Sequence, residues 1–204
     1  MQLIGMLDSP YVRRVAISLK RLGIPFKHRS LSVFQNFDDF SQTNPLVKAP
    51  TLVCDDGTVL LDSTLILEYI ETMAGPDKSL MPSGNPQHQQ SLRLIGLALG
   101  ACEKTVQIVY ERTLRPAEKQ YQPWLDRVNG QLVAAYDLLE QSAAQRSPWL
   151  VTTELMQPDI TVCVAWRFTQ LMLPEVIEKA TYPALAEFSN DAERLPEFVA
   201  TPLE

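Results

Sequence analysis

Val47-Lys48-Ala49-Pro50-Thr51-Leu52, followed by Asp55-Asp56-Gly57 and Leu61-Asp62-Ser63, decides how the first part of this chain folds. Two short apolar runs, Thr51 to Cys54 and Thr58 to Leu61, flank the Asp-Asp-Gly turn, which is the pattern of a β-hairpin. Proline cannot donate to a strand ladder, so Pro50 belongs at the start or edge of its strand. Leu65, Ile66, Tyr69 and Ile70 then recur at helical spacing, with Asp62-Ser63 at the helix N-terminus.

On the N-terminal side, Gln2 to Met6 reads as a short apolar strand broken by Asp8-Ser9-Pro10. Pro10 suits the first helical turn and Ser9 the N-cap. Val12, Val15, Ala16 and Leu19 follow at helical spacing, with Arg13, Arg14, Lys20 and Arg21 on other faces and Gly23 closing the helix. Phe26 to Leu31 reads as a second strand. Strand, helix, strand implies parallel strands with a right-handed crossover. A short helix is expected around Phe37 to Ser41, then a turn at Asn44-Pro45.

On the C-terminal side, Gly75 to Pro86 is rich in proline and glycine and reads as a linker. Beyond it only helical periodicity remains. Leu92, Ile95, Leu99, Cys102, Val106 and Val109 trace one long helix, and Pro123–Gln145, Pro158–Leu173 and Tyr182–Leu195 trace three more. The expected domains are 1–76, a linker at 77–86, and an all-helical 87–204.

The 204 residues are 46% hydrophobic, enough for two small cores. A net charge of −6, from 18 Lys and Arg against 24 Asp and Glu, argues against nucleic-acid binding through bulk electrostatics. Cys54, Cys102 and Cys163 are scattered, with no Cys-x-x-Cys, and only two histidines are present. That pattern predicts reduced thiols in a cytoplasmic protein and no metal site. The N-terminus starts on a strand without a basic-then-apolar leader, and no apolar run approaches membrane-spanning length.

The order β-α-β-α-β-β-α, the Ala-Pro-Thr-Leu, Asp-Gly and Asp-Ser spacings, and the helical remainder together resemble the glutathione S-transferase family of the bacterial, serine type. Leu80-Met81-Pro82 resembles that family's linker element, which tucks an apolar residue against the first domain. The resemblance implies a thioredoxin-like α/β N-terminal domain, an all-α C-terminal domain, and glutathione as co-substrate.

Several residues then acquire two readings. Ser9, by local sequence a helix cap, matches the serine that donates a hydrogen bond to the glutathione thiolate. A free thiol has a pKa of about 8.5, so a hydroxyl donor and helix-end N–H groups are needed to hold it ionised at neutral pH. Ser9 would stay protonated and would not act as a nucleophile. Pro50, by base rate a trans proline, would be cis by resemblance, turning Ala49 toward the cysteinyl backbone of glutathione. Asp62 and Ser63, at a helix N-terminus suited to anions, would take the γ-glutamyl end. Lys48, otherwise a solvated lysine, would pair with the glycyl carboxylate at the opposite end of the groove, where Gln35 and Phe34 also fall. Pro10 and Tyr11, with Tyr110, Arg112 and Thr113 late on the long helix, fall where the family builds its second-substrate pocket; plain packing is the other reading of Tyr11, and helical-core packing or solvent exposure is the reading the residues themselves favour for Tyr110, Arg112 and Thr113.

The resemblance implies transfer of the thiol to a small hydrophobic electrophile, a detoxification chemistry, in a homodimer built on the third helix and the first long helix. Gly96 and Gly100 would permit close approach there, or close packing within one subunit. Two alternatives use the same scaffold. One is glutathione-dependent isomerase, peroxidase or disulfide-reductase chemistry. The other is a non-enzymatic interaction protein like the stringent-starvation regulators, a class that tends to lose the thiol-contacting residue. The absence of a cysteine near position 9 weakens a disulfide mechanism. One departure stands out: family members open the buried helix of the second domain with a Ser/Thr-x-x-Asp capping box, and here the segment is Met156-Gln157-Pro158-Asp159.

Overall fold

The computed structural model describes residues 1–203, which divide into two compact units: 1–80 with 194–203, and 81–193. The sequence reading assigned 194–204 to the helical domain. The structure instead brings these last residues back to the first unit.

In the first unit, strands β1 (Gln2–Ile4), β2 (Lys27–Arg29), β3 (Thr51–Val53) and β4 (Val59–Leu61) form one sheet in the order β2-β1-β3-β4. β1 and β2 are parallel, while β1 with β3 and β3 with β4 are antiparallel. Helices α1 (Pro10–Arg21), α2 (Phe37–Thr43) and α3 (Ser63–Ala74) complete the thioredoxin-like β-α-β-α-β-β-α order. The hairpin turn closes through Cys54 N–H to the Thr58 carbonyl (2.8 Å) and Gly57 N–H to the Cys54 carbonyl (3.0 Å). Gly57 takes φ 87°, which its lack of a Cβ allows, and the Asp56 carboxylate accepts from Thr58 N–H. Those hydrogen bonds hold the Asp56 carboxyl below its usual pKa.

Strands are shorter than their apolar runs. β1 stops at Ile4 because Gly5 turns the chain at φ 132°. Ile4 packs with Leu31 and Phe40 of α2 on one face of the sheet, while Leu3 and Leu52, directly opposite each other, take the other face. α1 packs on α3 and on β1. Arg13 and Arg14, which the periodicity put away from the apolar face, are nevertheless buried; Lys20 and Arg21 stay exposed. Arg13 is covered by the returning C-terminal segment: its Nε donates to the Thr201 carbonyl (2.8 Å) and its guanidinium lies over the Phe198 ring. Leu80 is buried, with its N–H held by Glu71 at 2.9 Å.

The second unit has no strand among its described residues; its helices are α4 (Asn85–Leu114), α5 (Gln122–Ala143), α6 (Gln157–Met172) and α7 (Pro183–Ala192). α7 is shorter than its expected span. Leu195 precedes Pro196, which forces it into an extended conformation, and the chain restarts as the one-turn α8 (Pro196–Val199) in the first unit. α6 is buried around most of its circumference and packs against both α4 and α7. A buried hydroxyl chain ties three helices: Thr105 to Thr169 (2.8 Å), and Tyr136 Oη to Thr169 Oγ1 (2.7 Å) and to the Ala165 carbonyl (3.0 Å). Burial pushes the Tyr136 phenol well above its ordinary pKa. At the start of α6 the Asp159 half of the reciprocal cap is present, Asp159 Oδ2 accepting from Met156 N–H at 2.8 Å. The other half offers only a thioether, a weak acceptor, where a hydroxyl would stand.

Candidate active site in the N-terminal unit

Two loops and two helix N-termini of the first unit carry the expected residues. The first loop runs from Asn44 to Thr51. Buried Asn44 donates through Nδ2 to the Lys48 carbonyl (3.3 Å) and to Thr51 Oγ1 (2.9 Å), and its Oδ1 accepts from Leu46 N–H (3.0 Å). Thr51 Oγ1 donates to the same Lys48 carbonyl at 2.8 Å. This network holds the loop rigid just before the Ala49-Pro50 peptide, which is cis. Asn44 read as a turn residue in the sequence. Its role in fixing the loop was visible only as an Asn before proline.

Gly5 supports the same loop from below. A Cβ added there would stand 2.6 Å from Val12 Cγ2 and 3.0 Å from Ala49 Cβ. The end of β1, the first turn of α1 and Ala49 therefore meet at a point where only hydrogen fits.

Ser9 occupies the N-cap position of α1 with φ −68° and ψ 122°. Its carbonyl accepts from Arg13 N–H at 2.9 Å, the first helical bond, yet its hydroxyl makes no cap hydrogen bond. The position is that of a cap, and the side chain is left for other work. Pro10 is buried at N1, and Tyr11 follows it partly exposed.

Asp62 is the N-cap of α3 and does cap it, Oδ1 accepting from Thr64 N–H at 2.8 Å. It sits at φ 69°, a conformation rare outside glycine that the surrounding contacts must hold in place. Lys48 Nζ lies 3.6 Å from Asp62 Oδ2. Lys48 and Asp62, expected at opposite ends of a groove, thus stand side by side, because the loop before β3 and the turn after β4 end at the same edge of the hairpin. Ser63 is buried, and its Oγ accepts from Arg14 at 3.3 Å. The structure brings Lys48, Asp62, Ser63 and the unanticipated Arg14 together. Gln35 is exposed, and its backbone N–H donates to Ser32 Oγ at 3.1 Å.

Chemically, α3 presents its N-terminal end, with one N–H capped by Asp62, backed by a buried cation and flanked by a half-exposed carboxylate. That combination suits an α-amino-acid head group, its carboxylate on the helix end and its ammonium on Asp62. The α1 N-terminus, with its uncommitted hydroxyl, suits a second, softer anion.

The expected second-substrate residues of the helical unit are committed elsewhere. Arg112 pairs with Glu175 at 2.6 Å, and Thr113 Oγ1 donates back to the Val109 carbonyl at 2.7 Å. Tyr110 is exposed along one side, and partial burial raises its phenol above its usual pKa. Among the described residues, no three His, Cys, Asp or Glu side chains gather as a metal site, and no helix is long and apolar enough to cross a membrane.

The fold is that of a thioredoxin-like protein with an all-helical second unit. Residues 3–78 match the family described as glutathione S-transferase, N-terminal domain. The chain is 31% identical over 140 residues to the GST-like protein YibF of Escherichia coli (strain K12), covering 69% of this chain and 68% of that one. A glutathione S-transferase of Methylobacterium radiotolerans, solved in complex with glutathione sulfonate, superposes with a TM-score of 0.91 at 27% identity, over 100% of this chain and 95% of that one. A family member from Pseudomonas fluorescens Pf-5, solved with bound glutathione, gives 0.85 at 28% identity, over 100% and 98%. The chain belongs to the glutathione S-transferase family.

Proposed function

We propose that this protein is a glutathione transferase of the serine type. Reduced glutathione would lie along the N-terminal unit, with its γ-glutamyl head group at Asp62 and Ser63 and its cysteinyl backbone against Ala49. Lys48, released from Asp62, would meet the glycyl carboxylate, with Gln35 nearby. The thiol would lose its proton to solvent. Ser9 would donate its O–H to the resulting thiolate, and the α1 N-terminus would add its dipole. The thiolate would then attack an electrophilic carbon of a small hydrophobic substrate. A C–S bond forms, and either a leaving group departs with its electron pair or the adduct takes a proton from water.

The observation that carries this reading is the Ser9 hydroxyl, placed at a helix N-terminus and not spent on capping it. The relatives solved with glutathione or its sulfonate support the choice of ligand. A homodimer is part of the reading: Leu65, Tyr69 and Met73 form an exposed apolar stripe on α3, and an added Cβ at Gly96 or Gly100 on α4 meets nothing within 4 Å. Three free cysteines support a reducing, cytoplasmic setting.

The test is the ultraviolet absorbance of the thiolate of bound glutathione as a function of pH, in wild type and Ser9→Ala. The expected result is a thiol pKa well below the free value in wild type. In the variant it returns by about 1–2 units, the worth of one hydrogen bond to a charged group. Tight glutathione binding with a pKa indifferent to Ser9 would reduce that residue to a helix start. No glutathione binding would favour an interaction protein on the same scaffold.

A further inference from the structure

Tyr136 of α5, Trp166 of α6 and Tyr182, just before α7, meet in the core of the second unit, and all three are buried. Tyr136 and Trp166 stand edge to face with ring centroids 5.6 Å apart, and Trp166 and Tyr182 edge to face at 6.1 Å. The two tyrosine rings are tilted at 6.0 Å. These are ordinary separations for packed aromatic pairs. Packing does not account for how differently the two phenols are hydrogen-bonded.

The Tyr136 hydroxyl is bonded to neutral groups, Thr169 Oγ1 at 2.7 Å and the Ala165 carbonyl at 3.0 Å. The Tyr182 hydroxyl donates to the Asp137 carboxylate at 3.0 Å. Asp137 is an exposed residue, so a buried phenol is joined to solvent through a base. Glu140, one turn further along α5, also acts electrostatically on Tyr182. Its two oxygens, however, accept from Ala184 and Leu185 N–H at 2.8 Å each. The difference matters when an electron is removed. An indole survives as a radical cation. A phenol that loses an electron becomes a strong acid, so it is oxidised readily only where its proton has a base to go to. A carboxylate is such a base, whereas a hydroxyl or an amide carbonyl is not.

We propose that Trp166 and Tyr182 form a transfer pair that brings one-electron oxidation of the helical core to rest on Tyr182, with Asp137 as the proton acceptor. The oxidant is a small radical of the kind derived from peroxide. It takes one electron from Trp166 by tunnelling through the protein that covers the ring and is itself reduced. An electron then passes from the Tyr182 ring to Trp166 and restores the neutral indole. The Tyr182 O–H proton moves to the Asp137 carboxylate. The products are a neutral tyrosyl radical and a carboxylic acid that gives its proton to water. Tyr136, at a similar distance from Trp166, keeps both its proton and its electron.

The chain has six tyrosines, and replacing Tyr11, Tyr69, Tyr110 and Tyr121 with Phe leaves Tyr136 and Tyr182 to report. The full-length protein in this background is oxidised by flash photolysis of a ruthenium polypyridyl dye with persulfate. Radicals are followed by transient absorption and by freeze-quenched electron paramagnetic resonance. Tyrosyl radical is expected to grow as tryptophanyl radical decays, at a rate independent of protein concentration. Tyr182→Phe should cut the tyrosyl yield by roughly tenfold or more, and Tyr136→Phe should leave it within about twofold. Asp137→Asn keeps a hydrogen-bond acceptor but removes the base, and should slow tyrosyl growth by about a hundredfold, the worth of one positioned base.

A tyrosyl yield undiminished in Tyr182→Phe puts the radical on Tyr136 and overturns the proposal. Growth unchanged in Asp137→Asn, or growth that accelerates with protein concentration, overturns it as well. Should the four-Phe background not fold, Tyr182→Phe is compared with the otherwise unaltered protein: the concentration-independent phase must disappear, and its persistence is equally fatal.

Discussion

The ammonium of Lys48 lies 3.6 Å from the Asp62 carboxylate, joining the cis-proline loop to the start of α3. Both side chains are about half exposed, so the pair is screened and adds at most about 1 kcal/mol to stability. Its importance lies in what it occupies: the two charges proposed to meet the ends of a zwitterionic tripeptide neutralise one another, and ligand binding must exchange that contact for two others.

Lys48→Met should therefore leave the denaturation midpoint almost unchanged and weaken glutathione by roughly three- to thirtyfold, the worth of one partly exposed charged hydrogen bond. The affinity of wild type should fall with added salt, and that of the variant should fall less steeply. Calorimetric titration at two ionic strengths checks both. Equal salt slopes would remove Lys48 from the site.

Gly5→Ala introduces a methyl 2.6 Å from Val12 Cγ2 and 3.0 Å from Ala49 Cβ, at a φ of 132° that alanine resists. The expected cost is about 1–3 kcal/mol, read from urea unfolding, because neither the helix turn nor the proline loop is free to retreat. Glutathione affinity should fall as well, since Ala49 is the residue displaced. Wild-type stability in this variant would show that the loop yields easily.

Asp159 gives stability a pH dependence of definite sign. Burial raises its carboxyl from the ordinary 3.8 to about 6, against the lowering effect of its bonds to Leu150 and Met156 N–H. A carboxyl that binds its proton more tightly folded than unfolded favours the folded state most below the unfolded value. That contribution is lost as pH rises from about 4 to about 6 and is constant above. On the order of 2–3 kcal/mol is at stake. Asp159→Asn should abolish this slope. Its amide accepts one N–H but not both, so the variant should be less stable at neutral pH by about 1–3 kcal/mol. Urea midpoints at pH 4.5 and 7 in both proteins decide it, and an equal slope in the two would assign the titration elsewhere.

Met156→Thr should stabilise the second unit by about 1 kcal/mol, by giving the Asp159 N–H a hydroxyl in place of a thioether. The backbone at 156 is already extended, φ −120° and ψ 178°, as an N-cap requires. A lowered or unchanged thermal midpoint would refute it.

The sequence by itself determined the elements. Asp56-Gly57 wrote the hairpin, Ser9-Pro10 and Asp62-Ser63 wrote two helix starts, and the apolar repeats wrote α4 to α6, because turns, caps and periodicity depend on neighbours within a few residues. Ends were less legible, as at Gly5 and Pro196, where a single residue stops an apolar pattern that continues past it. Long-range partners were not legible at all. Arg13 and Arg14 look like solvent-facing cations in a helix pattern. The return of the chain at Phe198 and Thr201 covers the first, and the second is buried with its guanidinium at the start of α3. The same holds for Lys48 beside Asp62 and for Ala49 against Gly5. Each is a contact between segments distant in the chain, set by how the sheet and its helices close on one another. No local propensity encodes that distance, so the tertiary structure alone decided which charges share the site.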